Sequence, residues 1–211
     1  FIGLETRRFN NLISEKLNGF NPKITSNINV VKIHFNFKTF SFDVKSNEPE
    51  IFIDNKKIIF KEIKTNIPLT SLSDSDFLIS NLEFSTKKNN IKELLQILRE
   101  VKYSPEFFLL NKFIKKGEII INAKIKINKE GKIKNDYFIN GEVINGEIKL
   151  LNKNLVKNIN FNFDIRENIY YIYNSKLSYR DNTFNSQKIE IIKKDNVKIQ
   201  GEFENDLNYS N

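Results

Sequence analysis

Three groups of side chains in this sequence are of types that can do chemistry. The first is His34, the only histidine, and the second is the pair Asp74 and Asp76, which lie two residues apart. The third is the segment "NIYYIYNSKLSYR" at 168–180, in which tyrosines are interleaved with apolar residues and with the basic residues Lys176 and Arg180. A histidine can act as a general base or a metal ligand. Paired carboxylates offer oxygens to a hard cation, and tyrosines among basic residues can stack on the bases of nucleic acids.

None of these groups belongs to a complete constellation. One histidine without any cysteine cannot form the usual zinc site. Asp74 and Asp76 are not followed by the Asp, Asn and Gly positions of a calcium loop, which favours a solvated turn. Tyrosine is common in half-buried strands, and the segment lacks an RNA-binding signature. We therefore expect no enzyme activity, no cofactor, no metal and no nucleic-acid partner.

The composition narrows the class of protein. The chain has 211 residues with a net charge of +8, 19 Phe and no Cys or Met. Its lysines alternate with apolar residues along the expected strands, which is typical of a solvated basic face that protects sheet edges from pairing with other chains. A second interpretation is that these lysines attract anionic lipid headgroups. Because Met is absent, we expect residue 1 to follow an upstream segment of a longer protein.

Apolar residues alternate with polar ones along much of the chain, which indicates strands with one apolar face. Beyond Gly117, turn signals recur between these strands, including two Ile-Asn-Gly triplets at 139–141 and 144–146. The pattern predicts a mainly β fold built on a long antiparallel meander. The residues expected on its apolar faces are Ile33, Phe35 and Phe37; Ile119, Ile121, Ile125 and Ile127; and Ile159, Phe161, Phe163 and Ile165.

Two segments have helical periodicity instead. The spacing of apolar residues at 1–22 predicts an amphipathic helix, which either packs on the sheet or lies at a membrane surface. Residues 90–101 predict an internal helix, with Asn90 and Glu93 as a capping box. A shorter helical stretch is expected after Pro105. The organisation expected is thus a helix at 1–22 and a β region at 23–211 that carries a helical insert at 90–116.

A wide sheet with one apolar face needs a cover, and two short helices can cover only part of it. The sheet then either closes on itself as a sandwich or barrel, or curls into a trough whose lining is left for a ligand. Composition and periodicity do not choose between these outcomes.

The order of the segments resembles a known family. The segments "VVKIHFNFKTFSFDV", "IFIDNKKIIFKEIKTNIPLTSL", "FLISNLEFSTKKNNIKELLQIL" and "GEIIINAKIKINKEGKIKNDYFINGEVINGEIKLLN" follow one another along the chain. Together they resemble the N-terminal part of the AsmA-like family of bacterial envelope proteins, the group of AsmA, TamB and YhdP. The resemblance covers nearly the whole chain and depends on ordered alternation and turns, without a catalytic motif.

The resemblance implies a β sheet curled into an elongated, taco-like groove, with the apolar residues named above as its lipid-binding lining. It also implies a periplasmic location, attachment to the inner membrane of a Gram-negative bacterium through an upstream helix, and transfer of phospholipids between the inner and outer membranes. Phospholipids are the expected partners, with outer-membrane proteins as a further class. Two alternatives stay open: a scaffold that assists assembly of outer-membrane proteins, and a closed structural β-sandwich.

Overall fold

The computed structural model describes residues 4–6, 23–28, 31–72, 79–101, 104–128, 130, 132–150 and 154–206. The chain divides into two compact units: residues 1–87 with 122–138 form unit 1, and residues 88–121 with 139–211 form unit 2. The described strands form one large antiparallel sheet that is not closed into a barrel. The prediction of a mainly β, antiparallel fold is confirmed.

The elements follow one another in a simple order. Along the chain they are β1 (Leu4–Thr6), β2 (Ile24–Asn27), β3 (Val31–Asn36), β4 (Ser41–Asn47), β5 (Glu50–Ile53), β6 (Lys56–Pro68), a 3₁₀ turn (Leu69–Leu72), β7 (Asn81–Thr86), β8 (Asn89–Asn90), α1 (Ile91–Val101), α2 (Pro105–Phe113), β9 (Ile114–Lys126), β10 (Phe138–Lys149), β11 (Leu155–Arg166), β12 (Ile169–Tyr179), β13 (Asn182–Lys193), β14 (Val197–Gly201) and β15 (Glu204–Asp206).

Unit 1 is built from hairpins. Its strand order is β1-β3-β4-β6-β7-β9, with β5 pairing both β2 and the first part of β6. The turn between β5 and β6 is formed by Asp54 and Asn55, whose φ angles of 46° and 64° suit a tight type I′ hairpin turn. A second turn, at residues 37–40, joins β3 to β4.

Unit 2 contains the predicted meander. From β10 to β14, each strand is hydrogen-bonded to the next one along the chain. A two-residue turn at Glu167 and Asn168 joins β11 to β12 directly, because Arg166 pairs with Ile169. Strand β15 continues the line of β14 and also pairs with β13, through Asn185 and Glu204.

The two Ile-Asn-Gly triplets are not turns, so this prediction is wrong. Both lie inside β10. Gly141 allows the backbone of β10 to pack closely against Ile120 and Phe163. A Cβ atom at this position would lie 2.1 Å from the Ile120 carbonyl oxygen and 2.7 Å from Cζ of Phe163. Asn145 has a φ of 50° and its backbone N–H donates to Oδ1 of Asn160. Asparagine tolerates the left-handed conformation, so these residues adapt the strand without ending it.

Helix α1 confirms the internal helix predicted near residues 90–101. The side-chain Oδ1 of Asn90 accepts hydrogen bonds from the backbone N–H groups of Lys92 and Glu93, at 2.9 and 3.3 Å. This is the capping contact expected of an asparagine at a helix start. The buried side chains of α1 are Ile91, Leu95 and Ile97, the last of them only 2% exposed, whereas Leu98 is 43% exposed.

The other helical predictions need correction. Helix α2 ends at Phe113 and β9 begins at the next residue, so positions 114–116 of the predicted insert are strand. Residues Leu4–Thr6 pair with Val31–Ile33 as β1, so the predicted helix at 1–22 is wrong for these three residues. Pairing with β3 supplies the backbone hydrogen bonds that a helix would otherwise supply. Residues 7–22, like Asp74 and Asp76, lie outside the described residues.

Candidate functional site

Part of the predicted apolar lining is the core of unit 1. Val31, Ile33, Val44 and Ile67 form a buried cluster, with Ile33 only 7% exposed. Partly buried residues packed against it are Ile28, Phe42 and Ile79. Ile33 therefore stabilises a closed core.

Phe35 and Phe37 belong to an aromatic cluster at the β3–β4 turn of unit 1. The Phe35 ring lies 4.7 Å from that of Phe37, 5.1 Å from that of Phe42 and 6.4 Å from that of Phe40, measured between centroids. Phe37 and Phe40 are each 66% exposed. This end of the hairpin is an exposed aromatic edge.

Two of the predicted residues lie at the end of β9 in unit 1, Ile125 within the strand and Ile127 just after it. Ile125 pairs with Leu82 of β7, and Ile127 forms an isolated bridge with Ile133. Following the register across the unit, Ile33, Val44, Thr65, Leu82 and Ile125 are opposite one another in turn. Directly opposite residues share a face, so Ile33 and Ile125 do lie on the same face of the unit 1 strands.

In unit 2 three of the predicted residues, Ile119, Phe161 and Phe163, pack against a cluster that includes residues of helix α1. Ile91 and Leu95 of α1 form a buried cluster with Val143 of β10. The half-buried hydrophobic residues packed against this cluster are Phe107, Ile114, Ile119, Phe161 and Phe163. Helix α1 thus covers one end of the apolar face of unit 2.

Beyond this cover lies an open hollow of about 480 Å³, here called the apolar hollow. Four of the residues predicted for the groove line it: Ile119, Phe161, Phe163 and Ile165. Two predicted residues of unit 2, Ile121 and Ile159, are not among its lining residues. The whole lining consists of Ile119, Val143, Phe161, Phe163, Ile165, Tyr170, Tyr171, Ile172, Ile191, Lys193 and Val197.

Strand register explains how the hollow forms. Ile165, Tyr170, Ile191 and Ile199 are opposite one another across β11, β12, β13 and β14. Phe163, Ile172 and Ile189 form the neighbouring row. These rows make one apolar face, and its outer end is exposed, since Ile199 is 64% and Val197 61% exposed.

The lining residues on β10 and on β12 to β14 are not among those predicted from the sequence. For Ile172 on β12 the sequence does contain a signal. The two-residue turn at Glu167 and Asn168 fixes the pairing of Ile165 with Tyr170 and therefore of Phe163 with Ile172. Counting outward from that turn identifies Ile172 without any structure.

The reverse face of the same strands is polar and aromatic. The rings of Tyr171 and Tyr173 are stacked with centroids 6.0 Å apart, and Nζ of Lys188 lies 4.7 Å from the Tyr171 ring centroid. A hydrogen bond between the Tyr171 hydroxyl and the Glu190 carboxylate raises the pKa of Tyr171. Strand β12 also contributes Tyr171 to the lining of the apolar hollow, but the ring and hydroxyl of Tyr171 lie on the reverse face with Lys188 and Glu190.

The chemistry available at the hollow is binding of apolar groups. Its one charged lining residue is Lys193, and no cluster of three or more His, Cys, Asp or Glu suited to a metal occurs among the described residues. His34 is exposed on β3, opposite Asp43. Neither helix in the described part of the chain is long and apolar enough to cross a bilayer.

Comparison of the chain with protein-family models, with curated proteins and with solved structures gives no match.

Proposed function

We propose that this chain is the lipid-binding segment of an AsmA-like envelope protein. In this proposal the protein is anchored in the inner membrane of a Gram-negative bacterium by an upstream helix, and its periplasmic β sheet curls into a groove. The groove carries phospholipids between the inner and outer membranes. The observation that supports this proposal most is the apolar hollow, which lies on a sheet face that helix α1 covers only at one end.

The energetics of lipid transfer require such a surface. Exposing an acyl chain to water costs about 0.8 kcal/mol per methylene, so a chain of about 16 carbons costs on the order of 12 kcal/mol. The hollow, at about 480 Å³, falls within the range of roughly 300 to 1,000 Å³ that small-molecule sites occupy. Isoleucine and phenylalanine side chains on β11 to β13 would then be covered by lipid tails.

Lys193 gives the hollow a place for a headgroup. It lies at the end of β13, borders the hollow and is exposed to solvent. An ammonium group at the margin of an apolar surface attracts a phosphate while the tails remain on the apolar side. The net charge of +8 adds attraction toward anionic lipids.

The test is native mass spectrometry of the protein purified from bacterial envelopes. We expect co-purified phospholipid with the unchanged chain and loss of most of it in Ile172→Lys, which places a charge in the hollow. The matched control is Leu109→Lys on α2, where an exposed leucine outside the hollow receives the same charge. Circular dichroism checks that both variants keep their sheet.

Two outcomes contradict the proposal. One is a folded wild-type protein from which no phospholipid is ever recovered. The other is equal lipid loss in Ile172→Lys and Leu109→Lys, which would mean that lipid associates with the protein through its general surface.

A further inference from the structure

The β3–β4 turn of unit 1 presents two large aromatic side chains to solvent. Phe37 and Phe40 are each 66% exposed, and Lys38 between them is exposed as well. We call residues 37–40 the aromatic tip. Leu69, which is 41% exposed, lies beside the tip, because its backbone N–H donates to the Phe40 carbonyl oxygen at 2.9 Å. Large apolar side chains that are grouped at an exposed surface mark a candidate interaction site.

The backbone of the aromatic tip is strained, and its neighbours hold it in that conformation. Phe40 has a φ of 47°, in the left-handed region that bulky residues rarely adopt. The next residue, Ser41, is only 1% exposed, and its hydroxyl accepts a hydrogen bond from Nδ2 of Asn66 at 2.6 Å. Backbone strain of this kind persists only where surrounding contacts enforce it, and it is often found at functional sites.

The rings of the aromatic tip are supported from one side. The half-buried ring of Phe35 packs edge-on against the rings of Phe37 and Phe40, with centroids 4.7 and 6.4 Å away. The backbone N–H of Lys38 donates to Oδ1 of Asn36 at 3.1 Å. The tip is therefore pre-organised, so docking it onto a partner costs little conformational entropy.

The area of the aromatic tip favours a membrane over a protein as its partner. Two phenylalanine residues that are each 66% exposed offer on the order of 300 Å² of apolar surface. A stable protein–protein interface buries about 800 Å² on each partner, so the tip alone is too small for one. A bilayer sets no such minimum, since Phe and Leu side chains enter the boundary between its headgroups and acyl chains.

The charge of the aromatic tip suits an anionic bilayer. Lys38 places an ammonium group beside the two rings, where it can reach lipid phosphates. Within residues 34–43 and 66–70, all of which the structure describes, the one acidic side chain is Asp43. Its Oδ1 accepts a hydrogen bond from Nδ2 of Asn66 at 2.6 Å, which holds the carboxylate at the base of the hairpin. The net charge of +8 adds attraction at longer range.

We propose that the aromatic tip inserts into the surface of a lipid bilayer. Phe37 and Phe40 then lie at the boundary of the acyl chains, and Lys38 lies among the phosphates. The tip shares no residue with the apolar hollow, so this docking goes beyond the carriage of lipid and is independent of it.

A tryptophan at the aromatic tip tests the insertion directly, because the chain contains no tryptophan of its own. In Phe37→Trp, the emission should shift to shorter wavelengths when vesicles of phosphatidylcholine and phosphatidylglycerol in equal parts are added. Brominated acyl chains in these vesicles should quench it. The matched control is Phe203→Trp in unit 2, where a residue that is 61% exposed receives the same reporter and neither change is expected.

Vesicle sedimentation measures the contribution of each group. The double variant Phe37→Ala/Phe40→Ala should raise the vesicle dissociation constant about tenfold or more, whereas Phe203→Ala should change it less than about twofold. Lys38→Glu should weaken binding to the mixed vesicles about fivefold or more and leave binding to pure phosphatidylcholine unchanged. Ile172→Lys, which alters the hollow, should bind vesicles at least as tightly as the unchanged chain. Circular dichroism checks that each variant keeps its sheet.

The proposal is overturned if the emission of Phe37→Trp does not respond to vesicles. It is also overturned if the double variant and Phe203→Ala weaken binding equally, because the general surface would then be responsible. A shift to shorter wavelengths that appears without vesicles as the protein concentration rises would assign the tip to a second copy of the chain. Loss of vesicle binding in Ile172→Lys alone would move the membrane contact to the hollow. Unchanged binding of Lys38→Glu to the mixed vesicles would contradict the place of Lys38 among the phosphates.

Discussion

The two units of this protein have the same alternating sequence pattern, but the apolar face is buried as a core in unit 1 and partly open in unit 2. In unit 1, Val31, Ile33, Val44 and Ile67 are almost fully buried in one cluster. In unit 2, helix α1 covers the residues around Val143, while the rows through Ile165 and Ile172 border an open hollow. The difference teaches that alternation determines which residues share a face, whereas the cover determines whether that face is a core or a binding surface.

The contrast predicts a large difference between two isoleucine truncations. Ile33→Ala leaves a cavity in a closed core and lowers the free energy of unfolding by about 2–4 kcal/mol. Ile165→Ala acts at the edge of an open hollow, where solvent already reaches, and costs about 1 kcal/mol. Urea unfolding followed by circular dichroism measures both. Equal losses would contradict the distinction between core and hollow.

Gly141 tests how tightly the covered part of unit 2 is packed. A methyl group there would lie 2.1 Å from the Ile120 carbonyl oxygen, so Gly141→Ala is expected to lower the free energy of unfolding by about 1–3 kcal/mol. The control is Gly201→Ala on edge strand β14, where the nearest atoms would be 3.1 Å away. That strand can shift, so we expect a loss below about 0.5 kcal/mol. A similar loss in both variants in a urea titration would show that the packing around Gly141 is no tighter than at the edge.

Asn90 tests the helical cover itself. Asn90→Ala removes the acceptor for the N–H groups of Lys92 and Glu93, and we expect a loss of about 1 kcal/mol. Asn90→Asp keeps an acceptor oxygen and serves as the control. Hydrogen exchange of the α1 amides should accelerate in the alanine variant alone. Unchanged exchange would mean that packing against Val143 holds the helix without its cap.

The smallest expected effect lies in the charged surface of unit 1. Hydrogen bonds from Lys45 and Lys64 lower the pKa of Glu62 below its usual value. A lowered pKa in the folded state stabilises the protein above the unfolded-state pKa, and this contribution is lost as the pH falls through the folded-state value. Glu62→Gln should therefore cost about 0.5–1 kcal/mol at neutral pH and nothing near about pH 2.

Urea titrations at the two pH values measure this difference. Glu83→Gln is the control, because the Lys124 nitrogen with which it forms an ion pair is 3.8 Å away and both side chains are exposed. We expect a smaller change from it at neutral pH. A loss in Glu62→Gln that persists at low pH would assign the effect to packing of the side chain.

Local signals in the sequence predict much of the fold. Alternation at 31–36 and 159–165, the turns at Asp54 and Glu167, and the Asn90 cap are all signals that act over a few residues, and the structure contains each of them. The Ile-Asn-Gly triplets mislead because β10 is paired on both sides, and this pairing outweighs the local preference for a turn. Tertiary context overrides propensity in such cases.

The candidate site is less predictable than the fold. Ile33 and Ile165 lie in the same kind of alternating sequence. The residues next to Ile33 in the sequence do not indicate that Val44 and Ile67 will bury it. Burial depends on partners far apart in sequence. By contrast, the place of Ile172 follows from the turn at Glu167 and Asn168, so part of the hollow can be derived by counting.

The sequential pairing of β10 to β14 also has a kinetic consequence. Because neighbouring strands are joined by short loops, pairing each strand with the next one costs little chain entropy. This pairing can begin as soon as the second strand of a pair has been synthesised. Pulling on the chain beyond β15 should then peel β15, β14, β13 and β12 away one after another, as steps in a force trace. Strands β15 and β14 leave first, since β13 is the only neighbour of each among the described strands.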